Sequence, residues 1–225
     1  IQVHPDNVYA AKNENGSLGK TECWYVMDCP ENASLVIGHQ AKTREELRQM
    51  IAEGRYEELI REVPVKKGDF LQIIPGTIHA IKAGFLILET QQSSDITYRV
   101  YDYGRLVDGK PRQLHVKQSI DVTNVPDEAD KKGLKHAAEI PVNQLFLLED
   151  CEHYRVWKLQ LSGSYPLEQN YPFLILSVLS GEGKLDGEPL KKGDHLLLPA
   201  DYGMAELSGE MELILSTTAE PEREG

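Results

Sequence analysis

Basic residues are scarce in this chain: 24 Lys and Arg stand against 36 Asp and Glu, a net charge of −12 over 225 residues. Nucleic acids and anionic membrane surfaces need concentrated positive charge, so neither is expected as a partner. A small phosphorylated ligand is compatible with this balance, because it needs only a few local cations, and Lys20, Arg99 and Arg105 are available for that. Long apolar runs are missing despite 40% hydrophobic residues, so no stretch reads as a membrane-spanning helix. Cysteine is sparse too. Cys23, Cys29 and Cys151 are odd in number and show neither a disulfide framework nor paired zinc-ligand spacing, which points to a reducing, cytoplasmic setting. A secretory leader is not visible, but the chain opens at Ile1 inside what reads as a strand, and the natural protein is expected to begin further upstream.

What is present is mostly strand. Cys23–Met27, Ser34–Ile37, Phe70–Ile74, Phe85–Leu88 and 96–101 are rich in β-branched and aromatic residues and bounded by turn formers. Strands resume at Gln144–Leu148, Tyr154–Leu161, Phe173–Leu179, His195–Leu198 and Met211–Leu215. Such spacing suits an antiparallel sandwich or barrel. One segment breaks the pattern. Thr43 with Glu46 makes a capping-box signature, and Leu47, Met50, Ile51, Leu59 and Ile60 recur at helical spacing, so residues 42–62 are expected to form a helical insertion hinged at Gly54. A weaker helix is expected over His115–Asp121, and the tail from Glu220 reads as solvated.

Three short stretches carry residues suited to one metal ion: Gln2-Val3-His4, Lys20-Thr21-Glu22 and Pro75-Gly76-Thr77-Ile78-His79. On strands, side chains two apart share a face, so each stretch would present its polar pair together. Two imidazoles, a carboxylate and an amide oxygen suit Zn, Fe(II), Mn or Co better than Ca or Mg. The other five histidines, His39, His115, His136, His153 and His195, are given no functional role.

An internal repeat divides the chain. Lys66-Lys67-Gly68-Asp69 followed by an apolar strand and Pro75 matches Lys191-Lys192-Gly193-Asp194 followed by an apolar strand and Pro199. Two related β domains are expected: residues 1–124 and 144–225, joined by a linker at 125–143 that lacks apolar periodicity. After the first proline comes Gly76-Thr77-Ile78-His79, whereas Ala200-Asp201-Tyr202-Gly203 follows the second and holds no histidine. The second domain is therefore expected to lack the metal.

A Gly-Asp turn, an apolar strand and then Pro-Gly-x-x-His is similar to the second metal motif of the cupin barrels. With Gln2-Val3-His4-Pro5, Gly19-Lys20-Thr21-Glu22, His79-Ala80 and the run Ser94-Asp95-Ile96-Thr97-Tyr98-Arg99, the chain resembles the type I mannose-6-phosphate isomerase family in its short bacterial form. The resemblance covers nearly the whole chain, although the family carries a further segment before its Gln-x-His strand. It implies two jelly-roll cupin barrels, one zinc ion held by Gln2, His4, Glu22 and His79, and a catalytic arginine at Arg99. Lys20, Asp95 and Glu89 match polar positions that line the family's site.

The implied reaction interconverts mannose 6-phosphate and fructose 6-phosphate through a cis-enediol. Arg99 would stabilise the enediolate or hold the phosphate, with Asp95 orienting it. Lys20, in its neutral form beside a cation, and Glu89 are alternative bases. A monomer acting on a small sugar phosphate is expected. Two other readings stay open: a non-catalytic sugar-phosphate-binding bicupin, and a cupin oxygenase using the two imidazoles and the carboxylate for non-heme iron.

Overall fold

The computed structural model describes residues 1–129 and 133–219, and the chain divides into two compact units, Ile1–Leu134 and Lys135–Gly225. The tail from Glu220 lies outside the described residues. None of the three cysteines forms a disulfide. Among the described residues no helix is long and apolar enough to cross a membrane.

The first unit is built from two antiparallel sheets. One runs in the order β4 (Ile60–Pro64), β3 (Ser34–His39), β6 (His79–Ala80), β1 (Gln2–Val3), β8 (Tyr98–Arg99). In the other, β2 (Glu22–Asp28) lies between β5 (Asp69–Ile73) and β7 (Leu86–Gln91). Each sheet has an apolar face. Trp24, Val26, Leu35, Leu71 and Ile73 form one buried cluster, while Val3, Leu47, Ile51, Leu59, Ile78 and Tyr98 form a second. At roughly 1.5–3 kcal/mol for each large side chain removed from water, these clusters supply the main drive for the unit to close.

Helices α1 (Asn7–Asn13), α2 (Arg44–Ala52), α3 (Tyr56–Leu59) and α4 (Val116–Val122) flank the sheets in sequence. Thr43 caps α2 as its sequence predicts, with its hydroxyl accepting from the Glu46 amide at 3.1 Å. The reciprocal half of the box differs: the Glu46 carboxylate accepts from the Lys42 amide rather than that of Thr43. The helix ends at the expected hinge, where Gly54 takes a φ of 70°. Leu47, Met50 and Ile51 are its buried face. Residues 60–62 are strand rather than helix, because the backbone after α3 pairs with β3 at His39↔Ile60. Two short strands, β9 (Leu106–Val107) and β10 (Lys110–Pro111), make a hairpin closed by Asp108 and Gly109, both at positive φ.

After β11 (Leu134–His136), the second unit is one sheet ordered β12 (Phe146–Asp150), β13 (Tyr154–Gln169), β17 (Gly203–Thr218), β14 (Phe173–Leu185), β15 (Glu188–Lys191), with β16 (His195–Pro199) paired to β14. Its strands are far longer than the sequence suggests. β13 and β17 pair without interruption from Tyr154↔Thr218 to Gln169↔Gly203. The glycines that read as strand ends lie inside the ladder instead, with Gly209 opposite both Gly163 and Gly183. A Cβ at Gly209 would stand 2.5 Å from the Glu182 carbonyl oxygen, so glycine lets the backbones pass closely there. Leu159, Leu161, Leu176, Leu213 and Leu215 lead the core of this unit.

The repeated turn has the same internal bonds in both units. The Lys66 amide donates to Asp69 Oδ2 at 2.8 Å and the Asp69 amide to the Lys66 carbonyl at 3.1 Å. In the second unit the Lys191 amide donates to Asp194 Oδ2 at 2.9 Å and the Asp194 amide to the Lys191 carbonyl at 3.0 Å. Gly68 and Gly193 sit at φ 87° and 90°. The strands that follow diverge: β5 is buried on both faces, whereas β16 is largely exposed.

Candidate metal and sugar-phosphate site

β1 is the element that gathers the site. Gln2 pairs with His79 of β6 on one side and with Arg99 of β8 on the other, so one strand sets three functional positions side by side. His4 follows β1 directly, and Glu22 begins β2 in the other sheet. His4, Glu22 and His79 are 1%, 0% and 0% exposed, and among the described residues their ligand atoms form a cluster within 4.8 Å of one another.

The turn before His79 depends on glycine. Gly76 has a φ of 81°, and a Cβ there would stand 2.6 Å from the Asn124 side chain. Its amide donates to the His4 carbonyl at 2.9 Å, which ties the His79 turn to the strand carrying the other imidazole.

Hydrogen bonding orients both rings alike. His4 Nδ1 donates to the Ile96 carbonyl and His79 Nδ1 to the Thr77 carbonyl, each at 2.8 Å, so both Nε2 atoms carry lone pairs. His4 Nε2 lies 3.4 Å from Glu22 Oε2 and His79 Nε2 lies 3.2 Å from Glu22 Oε1. His4 Nε2 and Glu22 Oε1 lack a hydrogen-bond partner although fully enclosed. Burial lowers the His4 pKa, which keeps the imidazole in the neutral form that binds metals. Enclosed acceptors converging with too few donors are what a divalent cation satisfies, and the set fits zinc and its neighbours in the first transition row.

Gln2 Nε2 donates to His79 Nε2 at 3.1 Å, and a half-turn of that amide would place its oxygen at the same point. Lys20, 8% exposed, puts its ammonium 2.7 Å from Glu22 Oε2 and 3.4 Å from Glu89 Oε1. Trp24, absent from the residues singled out in the sequence, donates from Nε1 to Glu89 Oε2 at 2.9 Å and meets the His79 ring edge-to-face at 5.4 Å between centroids. The sequence signal for Trp24 was available, since it lies two residues after Glu22 on the same strand face.

A cavity of about 260 Å³ opens beside this cluster, lined by Ile1, Gln2, Trp24, Ala80, Ile81, Glu89, Arg99, Arg105 and Arg112. Arg99 is anchored by Nη1 donating to the Gln113 carbonyl at 2.7 Å, and its backbone amide donates to His115 Nδ1 at 3.1 Å. His115 thus supports a site residue. Among the described residues no hydrogen bond or ion pair joins Asp95 to Arg99. The pairing expected from their spacing fails because residues 92–97 are not strand, so the two do not share a strand face. Asp95 is exposed and does not line the cavity.

The chain is 49% identical to the mannose-6-phosphate isomerase ManA of Bacillus subtilis, over 96% of this chain and 70% of that protein. It belongs to the mannose-6-phosphate isomerase family. The family model for the mannose-6-phosphate isomerase cupin domain matches residues 143–218. The crystal structure of the mannose 6-phosphate isomerase from Bacillus subtilis superposes with a TM-score of 0.82 at 40% identity, covering 96% of this chain and 70% of that one. A crystal structure of a mannose 6-phosphate isomerase bound with zinc and yttrium shares the fold at 14% identity, with a TM-score of 0.74 over 97% of this chain and 76% of that one. The fold is mostly β with a cupin domain, and the chain is an enzyme, a mannose-6-phosphate isomerase. Membership of this isomerase family disfavours both the non-catalytic bicupin and the oxygenase.

Proposed function

We propose that this isomerase works through one zinc ion held by His4, Glu22 and His79, with the Gln2 amide oxygen as a fourth ligand. The observation that carries the reading is the enclosed His4–Glu22–His79 cluster, with unpartnered acceptors at His4 Nε2 and Glu22 Oε1, beside a cavity lined by Gln2 and three guanidiniums. A zinc-bound isomerase of the same fold supports the choice of metal. In this reading the chain is two jelly-roll cupin barrels. Residues 1–124 form the catalytic one, with a helical insertion at about 42–62, and residues 125–143 connect it to a second, metal-free barrel over 144–225.

Zinc, when bound, supplies Lewis acidity without redox chemistry and lowers the cost of negative charge on sugar oxygens. The protein's own residues do the rest. Ring opening exposes the aldehyde of mannose 6-phosphate, and its C2 proton must then reach C1 through a cis-enediol. Glu89 is placed to take that proton and return it, because its carboxylate faces the cavity while Trp24 and Lys20 fix both oxygens. Lys20 is wedged between Glu22 and Glu89 and does not line the cavity, so it acts by holding the two carboxylates rather than as the base. Arg99, permanently cationic, stabilises the developing enediolate. Asp95 has no part in this reading.

A coupled isomerase assay with mannose 6-phosphate and added zinc tests the whole scheme. Turnover is expected, with Glu89→Gln lowering kcat by about 10²–10⁴-fold, the usual contribution of a general base. Absence of turnover in the zinc-loaded enzyme, or turnover indifferent to chelation, would sink it.

A further inference from the structure

We propose that Arg112 is a phosphate-binding residue of this isomerase, and that Asp102 is the positioning residue that aligns Arg112 with Arg105 for that task. The inference rests on the reading of the cavity as a sugar-phosphate site.

Asp102 is only 4% exposed, and Arg105 and Arg112, which line the cavity, both bond to it. Its Oδ1 accepts from Arg105 Nη2 at 2.5 Å and from Arg112 Nη2 at 2.6 Å, while Oδ2 accepts from Arg112 Nε at 2.7 Å. Two guanidiniums therefore share one enclosed carboxylate, and Arg112 meets it at two points, which fixes a guanidinium in orientation as well as distance. The backbone delivers both arginines to the same carboxylate. A turn with Tyr103 and Gly104 at positive φ is closed by the Arg105 amide donating to the Asp102 carbonyl at 3.0 Å. The chain then runs out along β9 and back along β10, so that Arg112 returns beside its starting point. A bulky residue such as Tyr103 rarely adopts positive φ, so this turn is enforced by its surroundings.

Mere neutralisation of Asp102 would need one arginine. The two-point bond uses only Nε and Nη2 of Arg112, and Nη1 keeps both its N–H donors uncommitted among the described residues at the cavity wall. Arg105 and Arg112 keep side-chain exposures of 61% and 37% at the cavity mouth. Three guanidiniums with the carboxylates of Asp102 and Glu89 leave this mouth positive in a protein whose net charge is −12. A phosphate dianion is the ligand chemistry that matches. The two arginines hold the Asp102 carboxyl well below its ordinary range, with Arg112 contributing most, so the carboxylate stays charged wherever the enzyme works.

The test uses the zinc-loaded enzyme, with inorganic phosphate as the probe. Arg112→Gln is expected to raise the KM for mannose 6-phosphate and the Kd for phosphate by about tenfold, the loss of one charge-assisted hydrogen-bonded contact, with kcat within about threefold. Arg112→Lys should recover part of the affinity. Asp102→Asn should raise both constants without changing the bound zinc. Phosphate affinity unchanged in Arg112→Gln, read by calorimetry, would overturn the proposal. So would a loss of activity confined to kcat and matched by loss of folded protein. Phosphate calorimetry also separates this inference from the function beneath it: failed turnover in the unsubstituted enzyme would remove the isomerase mechanism, yet phosphate binding that depends on Arg112 would still stand.

Discussion

Each unit buries a lysine against a carboxylate, and the two pairs have opposite surroundings. In the second unit Lys158 is 1% exposed, and its ammonium donates to the Ala137 carbonyl at 2.6 Å and the Ala138 carbonyl at 3.2 Å while pairing with Glu212 at 2.9 Å. Every donor of that ammonium has an acceptor, so the charge works as a clasp. In the first unit Lys20 meets Glu22 Oε2 at 2.7 Å, but His4 Nε2 and Glu22 Oε1 have no hydrogen-bonded donor. A buried polar group left short of partners is costly. Its persistence in an otherwise well-packed unit marks a place shaped for something the chain does not itself provide.

The sharpest way to break that contrast is to remove the carboxylate from the first cluster. Glu22→Gln should abolish stoichiometric zinc, read by metal analysis, and lower turnover by at least about 10³-fold, since the metal accounts for several kcal/mol of charge stabilisation. Retained zinc would mean the enclosed acceptors serve another purpose. The matching change in the second unit is Lys158→Met. It should cost about 3–5 kcal/mol in chemical denaturation, the usual penalty for stranding a buried partner, while turnover per folded molecule stays unchanged. Activity lost without loss of stability would erase the distinction between clasp and site.

A smaller effect sharpens the comparison at the backbone. Gly76 and Gly203 both hold positive φ in the segments that follow the repeated strands, but only Gly76 is crowded, by Asn124. Gly203→Ala should therefore cost about 1–2 kcal/mol from its dihedral alone. Gly76→Ala should cost more and weaken zinc binding as well, because the displaced turn carries His79. Equal losses at the two glycines, with zinc affinity unaffected, would show that the turn does not set the imidazole.

These contrasts also explain what could be read before folding. The zinc candidates were legible because Gln2, His4 and Glu22 are metal-ligating residue types in short polar stretches, and Pro-Gly before His79 is a strong local signal, although His4 follows β1 rather than lying in it. Asp95 was misplaced because periodicity was extended into a segment that is not strand. Asp102 and Arg112 stayed hidden for a different reason. Their meeting depends on a hairpin that is exposed and carries no apolar alternation, so nothing local announces that its ends converge. Strand lengths in the second unit were underestimated because a glycine is the same letter whether it ends a ladder or lets two backbones cross within one.

The repeated Lys-Lys-Gly-Asp turn has a consequence for how such a chain can change. Its closure uses the aspartate, the glycine and two backbone amides, and none of those atoms belongs to the metal cluster. Joint and cargo are thus chemically independent. A lineage can discard the histidine beyond the proline, or an engineer can graft one there, without rewriting the instruction that reverses the chain.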